Sequence, residues 1–163
     1  MAGQVDVCRE LTLTVGQAFA VLATEEHWLA CLRIAPEMSS ELVEFTCDDT
    51  VVEVRTRSTL PLDWLPGRVR GMLPSAPTLH RHERWTRDAP DAAGADITID
   101  IERVTASVAG HGSLTTRPPD GSLVDVHLEL SVPVPLLGGV IEGLVAGRVE
   151  ALVRREQALL ERG

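Results

Sequence analysis

From Val124 to Val134 every second residue is apolar: Val124, Val126, Leu128, Leu130, Val132 and Val134 alternate with Asp125, His127, Glu129 and Ser131. Strict alternation of this kind predicts a strand with one face buried and one in water. Pro133, Pro135 and Gly138-Gly139 interrupt it, and beyond them the spacing lengthens. Ile141, Leu144, Val145, Val149, Leu152, Val153, Leu159 and Leu160 then share one broad face of a helix expected from Gly139 to Glu161. At ~1.5 Å per residue that helix is about 34 Å long, enough to cross a sheet. No later element is expected to cover it, so its apolar face has to pack on the sheet that precedes it.

The same reading carries back along the chain. Val5, Val7, Leu11 and Leu13 predict an opening strand, with Arg9 interrupting the apolar phase. Thr14 and Gln17 have the spacing of a capping box, followed by Ala18, Phe19 and Leu22 on one face of a short helix. Thr24 ahead of Glu25 and Glu26 predicts a second N-cap, with Trp28, Leu29 and Leu32 on the buried side and Pro36 as the stop. From Ser40 onward the period is two. Leu42 to Cys47 and Val51 to Thr59 flank the turn signal Asp48-Asp49-Thr50 and predict a hairpin. Further strands are expected from Thr78 to Arg87, around Ile97, Ile99 and Ile101, and from Val104 to about Arg117, with a loop from Asp88 to Asp96.

Composition then narrows the chemistry. The chain has 163 residues and a formal net charge of −9, and is read as a single domain over residues 1–163. An excess of carboxylates argues against nucleic acid, which is held by clustered Lys and Arg; the nearest approach, Arg81, Arg84 and Arg87, is broken by Glu83 and Asp88. There is no Lys and no Tyr, which excludes Schiff-base lysines, phosphate-loop lysines and tyrosine acid/base roles. Cys8, Cys31 and Cys47 lack metal-ligand spacing and sit in apolar segments, so they are expected to be reduced core thiols. Without a signal-peptide pattern or a run of ~20 apolar residues, a cytoplasmic protein with no integral membrane segment is expected.

The order strand, two short helices, antiparallel strands and long C-terminal helix resembles the START-like, helix-grip superfamily (SRPBCC), to which the birch-pollen allergen belongs. The tail from Val132 through Pro133, Val134, Pro135, Leu136, Leu137, Gly138, Gly139, Val140 and Ile141 to Glu142 looks like the lead into the last helix of bacterial members of unknown function, and Glu83-Arg84-Trp85 resembles a strand motif they carry. The resemblance implies an α+β fold: a curved antiparallel sheet of six to seven strands wrapped around the long helix, with two short helices after the first strand. It also implies an apolar cavity between sheet and helix, since members of the superfamily bind lipids, sterols or polyketides and some are cyclases or hydrolases.

Within that layout the expected wall comprises Val126 and Leu128 on the last strand and Ile141, Leu144, Val145 and Leu152 on the helix. Val108, Gly110 and Gly112 lie on one phase of the preceding strand; small residues there either leave room for a ligand or permit the sheet to bend. Leu79 and Trp85 set an inward phase that also carries Arg81 and Glu83. The readings of that charged pair stand open: groups that recognise a ligand carboxylate or hydroxyl or tune an acid, a structural ion pair near the sheet rim, or a slipped register that leaves both exposed; Glu156, within the apolar stripe of the last helix, raises the same question at the cavity mouth. The proline-rich stretch Leu60 to Leu79 carries Trp64, Leu65 and Met72 and reads as a lid, a packed loop or a membrane-touching loop. His80 and His82 share a strand face but lack a third ligand, so no metal and no cofactor is expected. No catalytic motif is present. The leading expectation is a carrier or sensor for a small hydrophobic ligand, as a monomer or homodimer. The alternatives are a polyketide cyclase or hydrolase with Glu83, His80 or His82 as base, and a protein-interaction module using Gly139, Gly143 and Gly147.

Overall fold

The structure is a computed structural model and describes residues 3–102, 105–136 and 138–162. Its chain order is β1 (Gly3–Leu11), α1 (Val15–Leu22), α2 (Glu25–Leu32), β2 (Glu41–Cys47), β3 (Val51–Thr59), a short α3 (Gly67–Arg70), β4 (Thr78–Ala89), β5 (Ala92–Ile101), β6 (Ser107–Arg117), β7 (Gly121–Ser131) and α4 (Gly138–Arg162). The seven strands form one antiparallel sheet in the order β1-β7-β6-β5-β4-β3-β2. β1 joins the edge beside β7 while β2 forms the other edge. The two short helices between them therefore span the sheet from one edge to the other. This is the curved sheet and long helix of a helix-grip fold.

Local chemistry sets the boundaries. Thr14 caps α1: its hydroxyl accepts from Gln17 N at 3.2 Å, and Gln17 Oε1 accepts from Thr14 N at 2.9 Å. Thr24 stands at the N-cap of α2 but does not cap it with its side chain; the hydroxyl donates backward to Val21 O at 2.7 Å and closes α1 instead. Asp48 Oδ1 accepts from the backbone of Thr50 and Val51, both at 2.8 Å, which fixes the β2–β3 turn and lowers the Asp48 pKa. β7 stops at Ser131, short of the expected Val134, because Pro133 and Pro135 have no N–H to give to a ladder.

Other expectations need correction. The stretch from Asp88 to Asp96 is not a loop: it is the tight end of the β4–β5 hairpin, with Ala93 and Ala95 buried on the inner face. Their inward phase was hidden by the low hydrophobic signal of alanine. Cys8 and Cys47 are exposed, not core. Cys8 shares the outward phase of β1 with Gln4 and Asp6, opposite Val5 and Val7. On α4 the expected face is the inward one at Ile141, Val145, Val149, Leu152, Val153, Leu159 and Leu160, but not at Leu144. Leu144 is 50% exposed, whereas Glu142 and Gln157 are buried against β1 and the end of β7. Glu142 Oε1 accepts from Val132 N at 2.9 Å, and Gln157 Nε2 donates to Val7 O at 3.0 Å. Polar side chains that bond to backbone ends are welcome on a buried face that hydrophobicity alone assigns to water. Val104, given as the start of the sixth strand, and Leu137 lie outside the described residues.

The inner face of the sheet is built in rows across the strands. One row runs Val52, Trp85, Ala95, Gly112, Val126 and Val7 through successive cross-strand pairs. The indole of Trp85 lies flat enough along that row that a Cβ on Gly112 would come within 2.9 Å of it. Ala95 and Gly112 are small because Trp85 fills the space above them. Gly110 has a different reason: a Cβ there would meet His127 O at 1.9 Å and Leu128 Cα at 2.8 Å, so β6 and β7 approach each other in a way only glycine permits.

Candidate functional site

Between the inner face of the sheet and α4 lies a cavity of about 430 Å³. Val126 and Leu128 of β7, Val108 of β6 and the isoleucines Ile97 and Ile99 of β5 form its floor. Ile141, Val145 and Leu152 of α4 face them. The segment 60–77 closes one side through Trp64, Leu65, Val69 and Leu73, with Met72 at the rim, 71% exposed. This segment packs on the start of α4 in a small second core of Leu60, Leu65, Val132 and Ile141. Arg148 of α4 stacks its guanidinium 5.3 Å from the ring centre of Trp64 and adds a cation–π contact to the closure.

Gly110, Gly112 and Leu144 are not part of the wall. Gly110 serves the close approach of β6 and β7, Gly112 makes room for Trp85, and Leu144 lies half-exposed on the outer side of α4. Arg81, Glu83, Trp85 and Glu156 do border the cavity. The β4 register pairs Arg81 with Thr56 and Ile99, and Glu83 with Val54 and Ile97, which puts both charged residues on the inward phase.

These four residues form one bonded cluster. Arg81 Nε and Nη2 donate to Glu83 Oε2 at 3.0 and 2.7 Å. Arg81 Nη1 and Nη2 donate to Glu156 Oε1 and Oε2 at 2.8 and 3.0 Å. Trp85 Nε1 donates to Glu83 Oε1 at 2.7 Å. The Glu83 side chain is 6% exposed and that of Glu156 18%. Burial opposes the charge on Arg81, but the adjacent carboxyl groups of Glu156 and Glu83 overcome it and raise its pKa above the ordinary value. A buried charge is tolerated only with this degree of pairing.

Sequence reasoning missed the other half of this polar region. His27 and Cys31, one turn apart on α2, both line the cavity, with His27 Nε2 3.6 Å from Cys31 Sγ. Burial lowers the His27 pKa to about 4, with Glu156 opposing the shift and Arg81 adding to it. Burial likewise raises the Cys31 thiol well above its usual range, which favours the protonated form. The available signal was the spacing of His27, Trp28 and Cys31 on one helical face, which an assignment based on Trp28, Leu29 and Leu32 passes over. His80 and His82 do not border the cavity; they pair with Glu102 at 3.2 Å and Glu53 at 2.7 Å. Among the described residues no cluster of three or more His, Cys, Asp or Glu is placed to hold a metal ion, and no helix is long and apolar enough to cross a membrane.

Residues 6–162 match the family described as "Protein of unknown function (DUF2505)". The chain belongs to this family. An uncharacterized protein of Mycobacterium tuberculosis is 28% identical to this DUF2505 member over 111 residues, covering 68% of this chain and 64% of the relative, less than two thirds of its length. Among solved structures, the fold is similar to that of a START superfamily protein from Mycobacterium smegmatis, with a TM-score of 0.53 at 15% identity over 98% of this chain and 94% of that one. The Zhui aromatase/cyclase from a Streptomyces species gives a TM-score of 0.52 at 14% identity, over 99% of this chain and 90% of that one. At these identities the likeness establishes the fold alone, and this DUF2505 chain has the helix-grip fold.

Proposed function

We propose that this chain sequesters a small hydrophobic molecule, lipid-like, sterol-like or polyketide-like, in the cavity between sheet and α4. The observation that carries the reading is the cavity itself: about 430 Å³, walled mainly by Val, Ile and Leu side chains, with its charged groups gathered in one cluster. That is the volume and composition of a small-molecule site. A core without a ligand would be expected to close up, because unfilled apolar volume costs about 24 cal/mol per Å³. Arg81, Glu83 and Glu156 form the polar end of the site in this reading, and residues 60–77 are its lid. The cytoplasm is its expected location, and the occupant reaches it as a carried or sensed molecule.

Uptake of Nile red, a neutral apolar dye, tests the proposal. Wild-type chain should bind it with a fluorescence rise, and Val149→Trp, which fills the cavity from α4, should abolish the rise while far-ultraviolet circular dichroism stays unchanged. Equal uptake by both proteins would place the dye elsewhere and remove the cavity from the account.

A cyclase-type activity is the second reading, supported by the fold shared with an aromatase/cyclase and by a histidine ring on the cavity wall. The base in that case is His27, in place of His80 or His82. With its pKa lowered to about 4 it is a weak base near neutral pH, which is why sequestration is preferred.

A further inference from the structure

Resting on the cavity as a binding site, the charged cluster also says which head group belongs there. An arginine side chain has five N–H donors. Arg81 spends four hydrogen bonds on Glu83 and Glu156, using Nε, Nη1 and both hydrogens of Nη2. At most one N–H remains for anything else, beside two carboxyl groups already on the same guanidinium. A ligand carboxylate cannot find the two-pronged partner it needs there, and would be the third acid around one cation. His27 does not change the balance, because burial keeps it neutral.

The two carboxyl groups differ in what they have left. Glu83 has the less to offer: Oε2 accepts twice from Arg81 and Oε1 once from Trp85, which leaves one acceptor position on a side chain only 6% exposed. Glu156 accepts once on each oxygen, both times from Arg81, and each carboxylate oxygen has room for a second hydrogen bond. Its side chain borders the cavity and is less buried than that of Glu83. We infer that the cavity takes an apolar molecule whose polar head is a hydrogen-bond donor, a hydroxyl or a protonated amine, received by Glu156, and that it discriminates against free carboxylic acids. Arg81 is a positioning residue that holds Glu156 toward the cavity.

Displacement of bound Nile red by decylamine, decanol and decanoic acid at neutral pH tests this, because the three share a chain and differ in head group. Amine and alcohol should each compete at least tenfold more strongly than the acid. Glu156→Gln should shrink the advantage of the amine over the acid at least fivefold, and Glu156→Asp should restore part of it. Decanoic acid competing as well as decylamine and decanol would overturn the inference, as would bound Nile red that neither amine nor alcohol displaces. An unchanged preference in Glu156→Gln would overturn the role of Glu156. Failure of the chain to bind Nile red at all removes the binding site and this inference with it, an outcome separate from the others.

Discussion

Arg81 on β4 and Glu156 on α4 meet across the cavity in a two-pronged ion pair, 2.8 and 3.0 Å, joining elements 75 residues apart in the chain. The pair ties the helix to the middle of the sheet at the place where the cavity otherwise separates them. Arg81→Met leaves two carboxyl groups facing each other without their cation and should cost about 3–5 kcal/mol in urea unfolding. Adding Glu156→Gln to that variant should recover part of the loss. A cost below about 0.5 kcal/mol would mean that the pair is solvated and does not fasten the helix.

Gly110 and Gly112 separate two reasons for a small residue. Alanine at position 110 must push backbone away, with His127 O 1.9 Å from the new Cβ, whereas alanine at position 112 meets side chains, the Trp85 ring at 2.9 Å and Ala95 Cβ at 3.4 Å. Gly110→Ala should therefore lose more than about 3 kcal/mol, and Gly112→Ala about 1–2 kcal/mol, by thermal or urea unfolding. Equal tolerance at both positions would show that the β6–β7 approach is not glycine-dependent.

His27 gives the fold an acid-sensitive component. Its pKa is lowered from 6.5 to about 4 in the folded chain, mainly by burial. Between those values the unfolded chain binds a proton that the folded chain does not, so stability falls as pH drops through this window and levels off below it. The full effect is about 3 kcal/mol at most. Comparing wild type with His27→Gln by urea unfolding at about pH 7 and about pH 4.5 should show wild type losing roughly 2 kcal/mol more than the variant. Parallel losses would mean that His27 is already charged at neutral pH or reaches solvent.

The bare side of α4 supplies the opposite kind of test. A Cβ added at Gly143 or Gly147 meets nothing within 4 Å. Gly143→Ala and Gly147→Ala should each stabilise the chain by about 0.5–1 kcal/mol, the helix-propensity difference. Destabilisation would show that this face is packed against something, a second copy of the chain included, and sedimentation of both variants would identify it.

Much of the architecture was legible because it follows from period and punctuation. The β7 alternation, the Thr14 capping box and the Asp48 turn each have a local chemical cause, and each is where the spacing puts it. The inward phase of β4 was legible from Leu79 and Trp85, but sequence could not say whether Arg81 and Glu83 face the cavity. That depends on a partner, Glu156, 75 residues away. Glu142, Gln157 and His27 escaped for a related reason: each is a polar side chain whose burial is decided by tertiary neighbours. Gly110 and Gly112 look alike in sequence, and only the distance from each to its neighbour separates backbone crowding from space taken by an indole.

A cavity of this size and lining should be occupied in the cell by a small apolar molecule. Native mass spectrometry of the chain purified from its own host, followed by organic extraction of what is released, tests it most directly. The expected result is a reproducible adduct of a few hundred daltons, released on unfolding, with a hydroxyl or amine on an apolar body. A chain that is bare from its own host and takes up no Nile red would contradict it.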